Sequence, residues 1–193
     1  MFQFIILGVF ILFLLCTLRF TENFGLIEIK SLYNNNTYKV RNDYNNVNDA
    51  SIMMSKIRSN IDKLLMYLEK KYPVDIRVIR LIRNFNANNL MEAEYNESSN
   101  TSYTINKGEE VHICLRNKSE YHELHDLNTL MFVTLHELAH IMSESVGHNT
   151  EFNDNFVFIL KEACVLEVYT FVDYSEHPVE YCGMIIDRTP IKN

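Results

Sequence analysis

His136, Glu137 and His140 spell H-E-x-x-H, and His148 follows at Gly147-His148, eight residues past His140. On a helix, positions i and i+4 differ by about 40° of rotation, so His136 and His140 project from one face. Two imidazoles placed there can grip one metal ion at the usual Zn–N distance of about 2.0–2.1 Å. Glu137 lies beside them, where a carboxylate can take a proton from a metal-bound water. The metal matters because it lowers the pKa of that water from 15.7 to about 7 and so makes a nucleophile at neutral pH. Gly147 is a natural helix stop, able to turn the chain back in the left-handed conformation. His148 comes directly after it as the third ligand. Three protein ligands and one water make an open, catalytic zinc site, whereas four protein ligands make a closed, structural one. A carboxylate on the next helix, Glu162, is the rival third ligand. The bland alternative for the whole pattern is a chance match on a solvated helix.

A helix is required to hold this pattern, and its other face supplies one. Met131, Leu135, Leu138 and Met142 recur at helical spacing, so the expected helix spans about 127–146 with a buried stripe. A second helix, about 150–172, begins at Asn149 or Thr150 as cap and buries Phe152, Phe156, Ile159, Ala163 and Leu166. Upstream, Met53, Ile57, Ile61, Leu64, Leu65 and Leu68 predict a helix over 50–71, stopped by Tyr72-Pro73. Residues 74–83 are rich in β-branched side chains and read as a strand. Residues 84–100 read as a loop. Residues 101–106 and 111–116 read as a hairpin, with Lys107-Gly108-Glu109 at the turn. The last twenty residues, with Pro178, Gly183 and Pro190, read as irregular.

The rest of the chain narrows the function. Its 193 residues are 47% apolar, enough for one packed domain with accessories, and the net charge of −7 argues against a dedicated nucleic-acid binder. The abundant asparagines and the Asn-x-Ser/Thr sequons at Asn35, Asn96, Asn100 and Asn117 carry no chemistry by themselves. Residues 1–18 contain no charged side chain, long enough and apolar enough to span a bilayer. Without a basic n-region or a small-x-small cleavage site, a retained anchor is preferred over a signal peptide. Arg19 after the span places the main domain on the cytosolic side by the positive-inside rule. This gives three parts: an anchor over 1–18, a polar tether over 19–50, and a catalytic domain over 51–193. Of the four cysteines, Cys16 falls in the apolar segment. The remaining Cys114, Cys164 and Cys182 cannot all pair, so a disulfide framework is not expected and a reducing compartment is. His112, His122, His125 and His177 have no ligand spacing.

The run 113–116, the segment 134–140, Gly147-His148 and Phe152, preceded by 101–103 and Asn106-Lys107-Gly108, resembles the WLM-domain metallopeptidases. These are relatives of the SprT-like proteases within the zincins. The resemblance covers about 80 residues. It departs in two places: the gap from His140 to His148 is longer than the family's common spacing, and Asn149 stands where Asp is frequent. The resemblance implies an α+β, zincin-like domain, a small β-sheet packed on the H-E-x-x-H helix and a following helix, here with an added N-terminal transmembrane helix. It further implies one catalytic Zn2+ on His136, His140 and His148, with Glu137 as acid/base. The strand at 113–116 would lie over the cleft and pair with an extended protein or peptide substrate. The expected activity is that of a membrane-anchored zinc endopeptidase. A non-catalytic, zinc-containing scaffold or peptide-binding module is the alternative.

Overall fold

The computed structural model describes residues 25–94, 101–118 and 122–191. Its longest element is α1 (Val47–Lys71), and the reason is legible residue by residue. Met54, Ile57, Ile61, Leu64 and Leu68 recur on one face and are fully buried, each worth about 1.5–3 kcal/mol when removed from water. Tyr72 closes the helix by donating its N–H to the Leu68 carbonyl, just before Pro73. The segment 74–83, expected as a strand, is instead α2 (Ile76–Asn84). Asp75 caps it by accepting from Arg77 N, and Val78 and Leu81 form the buried face. Arg77, Arg80 and Arg83 recur every third residue, a helical signal that outweighs the β-branched composition.

A three-stranded sheet runs in the order β3 (Leu90–Glu92), β5 (Glu110–Ile113), β4 (Tyr103–Ile105). The expected hairpin is present, with Tyr103 opposite His112 and Ile105 opposite Glu110. The stretch 84–100, read as loop, also supplies β3, which pairs parallel to β5. The polar tether expected over 19–50 is, from Leu26 on, a hairpin of β1 (Leu26–Lys30) and β2 (Thr37–Arg41). Its alternation buries Tyr38 and Val40, while Arg41 N donates to the Glu92 carboxylate at 2.8 Å. That Glu92 also pairs with Arg116, so the hairpin is locked to the sheet by a buried ionic contact.

Two helices follow. Twelve of the sixteen residues of α3 (Leu127–Met142) are buried, which makes it the central helix of the fold. Asp126 caps it, accepting from Thr129 N at 3.0 Å and the Thr129 hydroxyl at 2.6 Å, a cap worth about 1 kcal/mol. It stops at Met142, four residues before the expected end, so Gly147 is not its terminator. The next helix, α4 (Thr150–Val165), packs along α3 and ends seven residues before the expected 172. The carboxyl-terminal stretch, read as irregular, folds into a hairpin of β6 (Val179–Tyr181) and β7 (Met184–Ile186). Cys182 and Gly183 make its turn at φ 50 and 86. Contrary to the sequence reading, a disulfide joins Cys182 to Cys114. A sequence separation of 68 gave no local cue to the pairing. Cys164 is the free thiol among the described residues.

The expected single-pass membrane localisation, with the catalytic domain on the cytosolic side, is not upheld. No helix of the described residues is long and apolar enough to cross a membrane. The anchor assigned to residues 1–18 lies outside the described residues.

Candidate metal centre

His136, Glu137 and His140 stand on α3, and His148 stands on the loop between α3 and α4. The loop folds back so that all three imidazoles meet. His148 Nε2 lies 3.0 Å from His136 Nε2 and 3.2 Å from His140 Nε2. Four-coordinate zinc with Zn–N of about 2.0–2.1 Å requires ligand nitrogens about 3.3 Å apart, so the trio fits the ion. Three imidazole nitrogens aimed at one point cannot all be satisfied by one another, and a shared cation resolves that conflict. Among the described residues no fourth His, Cys, Asp or Glu joins the cluster.

The surroundings keep His136 and His140 neutral and hold the three rings aligned. Burial, and then the two neighbouring imidazoles, push His136 down to about 3. Burial, His148 and Lys107 push His140 down to about 4. Phe152 of α4 sits among the three rings, with its centroid 4.3 Å from that of His140 and 4.8 Å from those of His136 and His148. Phe156 meets His136 edge-on at 5.1 Å. These rings form an apolar shell that restricts each imidazole to one orientation.

Glu137 is nearly fully buried, and burial raises its carboxyl to about 7 against the opposing hydrogen bond from Thr104. The Thr104 hydroxyl donates to Glu137 Oε2 at 2.9 Å. Sequence reasoning had no means of finding Thr104, because its partner is 33 residues away. The rival ligand Glu162 is accounted for elsewhere: it accepts from Lys71 Nζ at 2.8 Å and the Tyr72 hydroxyl at 2.6 Å. The four remaining histidines described take no part in the cluster. His112 stacks on Tyr103, His122 packs at a tilt against Tyr44, and His125 accepts from Cys182 N; His177 makes a backbone bond to Asp173.

A cleft of about 830 Å³ opens over the trio. Thr104 and its neighbours on β4 line it, together with His136, Glu137, His140 and His148 below, Val146 of the histidine loop, and residues 184–188 of the carboxyl-terminal hairpin. The strand beside the cleft is therefore β4, an outer strand. The strand expected there, 113–116, overlaps β5, which lies between β3 and β4 and has both edges occupied. Tyr181, fully buried, bonds to the Ser102 hydroxyl at 2.6 Å and the Cys114 carbonyl at 2.9 Å, fixing the hairpin against the sheet. Nothing in the sequence pattern marked the hairpin as a cleft wall.

Comparison with known proteins agrees with the resemblance. Over 174 residues the chain is 33% identical to an uncharacterized protein of Acanthamoeba polyphaga mimivirus, covering 85% of this chain and 84% of that one. An uncharacterized protein of Invertebrate iridescent virus 6 is 33% identical over 90 residues, 46% of this chain and 50% of its own. One from Invertebrate iridescent virus 3 is 46% identical over 69 residues, 34% of this chain and 38% of its own. The fold is similar to the crystal structure of Wss1 from Saccharomyces cerevisiae, with a TM-score of 0.51 and 20% identity over 66% of this chain and 87% of that one. The model of the WLM domain matches residues 33–178, a span that takes in the histidine cluster, Glu137 and the β4 edge, and the chain belongs to the WLM-domain family.

Proposed function

We propose that this chain is a zinc-dependent endopeptidase, with His136, His140 and His148 as ligands and Glu137 as general base and acid. The observation that carries the reading is the convergence of three Nε2 atoms beside a buried carboxylate, at the floor of an open cleft. When bound, zinc supplies Lewis-acid polarisation of the scissile carbonyl and lowers the pKa of water to about 7. Glu137 takes the proton of the attacking water and delivers it to the leaving amine nitrogen. The Thr104 hydroxyl fixes Oε2, which leaves Oε1 to exchange that proton. Among the described residues β4 has a strand neighbour on one side only, so its other edge can hydrogen-bond an extended polypeptide laid along the cleft. A polypeptide chain is thus the substrate class the site favours.

A scaffold role for the zinc is the competing reading. A closed structural site takes four protein ligands, and the three-histidine cluster speaks against it. The test is cleavage of an unfolded protein such as casein before and after chelation. Activity should vanish with the metal and return with added zinc. Cleavage at full rate by the chelated protein would contradict the proposal.

A further inference from the structure

His148 is the exposed member of the trio. Val146 is 86% exposed, and a Cβ on Gly147 would meet no atom within 4 Å. With Val146 exposed, contacts other than apolar packing must hold the loop. Polar ties do so from two sides. On one side, Lys107 Nζ donates to the carbonyls of His140 at 3.3 Å, Ser143 at 3.0 Å and Ser145 at 2.5 Å. The first two oxygens belong to the end of α3, where a cation also meets the negative end of the helix dipole. On the other side, the Glu151 carboxylate accepts from Glu144 N at 2.7 Å, from Ser145 N at 2.9 Å and from the Ser145 hydroxyl. Asn149 adds a bond from its amide to the Ser145 hydroxyl at 2.7 Å.

The aim of Lys107 is itself built in. Asn106, Lys107 and Gly108 take φ of 47, 57 and 112, three successive left-handed residues in the β4–β5 turn. A Cβ on Gly108 would lie 2.7 Å from the Asn84 carbonyl oxygen and 3.0 Å from Ile141 Cδ1, so the turn is pressed against α2 and α3. This close approach requires glycine, and it delivers the preceding lysine to the end of α3.

Resting on the reading that the three histidines hold zinc, we infer that Lys107 and Glu151 are positioning residues for the third ligand, His148. Neither belongs to the histidine cluster, although Lys107 also lines the cleft. They clamp Ser145 between them and so fix the backbone from which His148 reaches the other two rings. Removing either tie frees the loop and leaves a two-histidine site for part of the time. Supporting partners of this kind change metal affinity by about 10- to 100-fold.

The experiment is a zinc competition titration of the full chain against a chromophoric chelator. It compares wild type, Lys107→Met, Lys107→Arg, His148→Ala and the double variant Lys107→Met/His148→Ala. Lys107→Met should weaken zinc binding by about 10- to 100-fold, and Lys107→Arg should restore most of it. Once His148 is gone, the lysine substitution should cost nothing further. Additive losses would show that Lys107 supports something other than His148 and would overturn the inference. So would wild-type affinity in Lys107→Met. Should that variant not fold, Glu151→Gln takes its place with the same requirement of non-additivity against His148→Ala. Failure of the underlying reading looks different: wild type itself would bind no zinc, and the inference would fall with it. Zinc binding without proteolysis would leave the inference standing and sink only the proposed activity.

Discussion

The floor and the rims of the cleft are built by different physics. The floor is α3, where Leu135, Leu138, Ala139 and Ile141 are fully buried around His136, Glu137 and His140. The rims are the 143–149 loop and the β6–β7 hairpin, which expose Val146 at 86% and Ile185 at 57%. Packing holds the floor, whereas hydrogen bonds and one disulfide hold the rims. Two of the proposed metal ligands and the proposed acid/base are therefore fixed by the core itself. The proposed third ligand, His148, and the cleft wall depend on a handful of polar atoms, which is where a related chain could change specificity without disturbing the floor.

The largest effect that would separate the two regions is a cavity in the floor. Leu138→Ala should cost about 2–5 kcal/mol and take zinc binding down with the fold, as measured by denaturant unfolding with and without metal. A loss below 1 kcal/mol would mean that α3 is not the packed base described. Next comes the rim staple. Cys182→Ser should cost about 2–4 kcal/mol and expose the hairpin to limited proteolysis, while zinc affinity changes by only a few-fold. Loss of zinc together with the disulfide would erase the distinction between wall and floor.

Smaller effects sharpen it. The Ser145 hydroxyl, the backbone N–H groups of Glu144 and Ser145, and Arg80 hold the Glu151 carboxyl down at about 2. A depressed carboxylate stabilises the fold above its unfolded pKa of about 4.5 and loses that contribution as pH falls towards 2. The stability gap between metal-free wild type and Glu151→Gln should thus be present at neutral pH and close between about pH 4.5 and 2. A gap that widens on acidification would reverse the sign of the tie. Smallest of all, Val146→Asp should stay within about 0.5 kcal/mol of wild type, since its side chain packs on nothing that folding requires.

The same division explains what the sequence disclosed. The α3 stripe of Met131, Leu135, Leu138 and Met142 is fully buried, because an apolar period of 3.6 and an H-E-x-x-H spacing are local facts. His148 was singled out on the ground that Gly147 ends the helix; α3 stops at Met142 instead, yet the loop still brings His148 beside His136 and His140. Its holder was not: the pairing of Lys107 with Ser145 spans 38 residues and arises only when the β4–β5 turn docks on α3. The strand expected at 74–83 shows the opposite error, a local composition of Ile and Val outweighed by the Arg period and by the Asp75 cap. The tether expected over 19–50 failed because Tyr38 and Val40, the buried apolar side chains of β2, are too few to register as a pattern. The Cys114–Cys182 bridge and the hairpin it secures are long-range products of the fold, invisible to any window along the chain.

The most direct test is metal content and casein cleavage of the full chain, wild type beside Glu137→Gln. The account predicts about one zinc per chain in both, with cleavage lower by about 10²- to 10⁴-fold in the variant. Glu137→Gln cleaving at the wild-type rate, or no zinc in either protein, would contradict it.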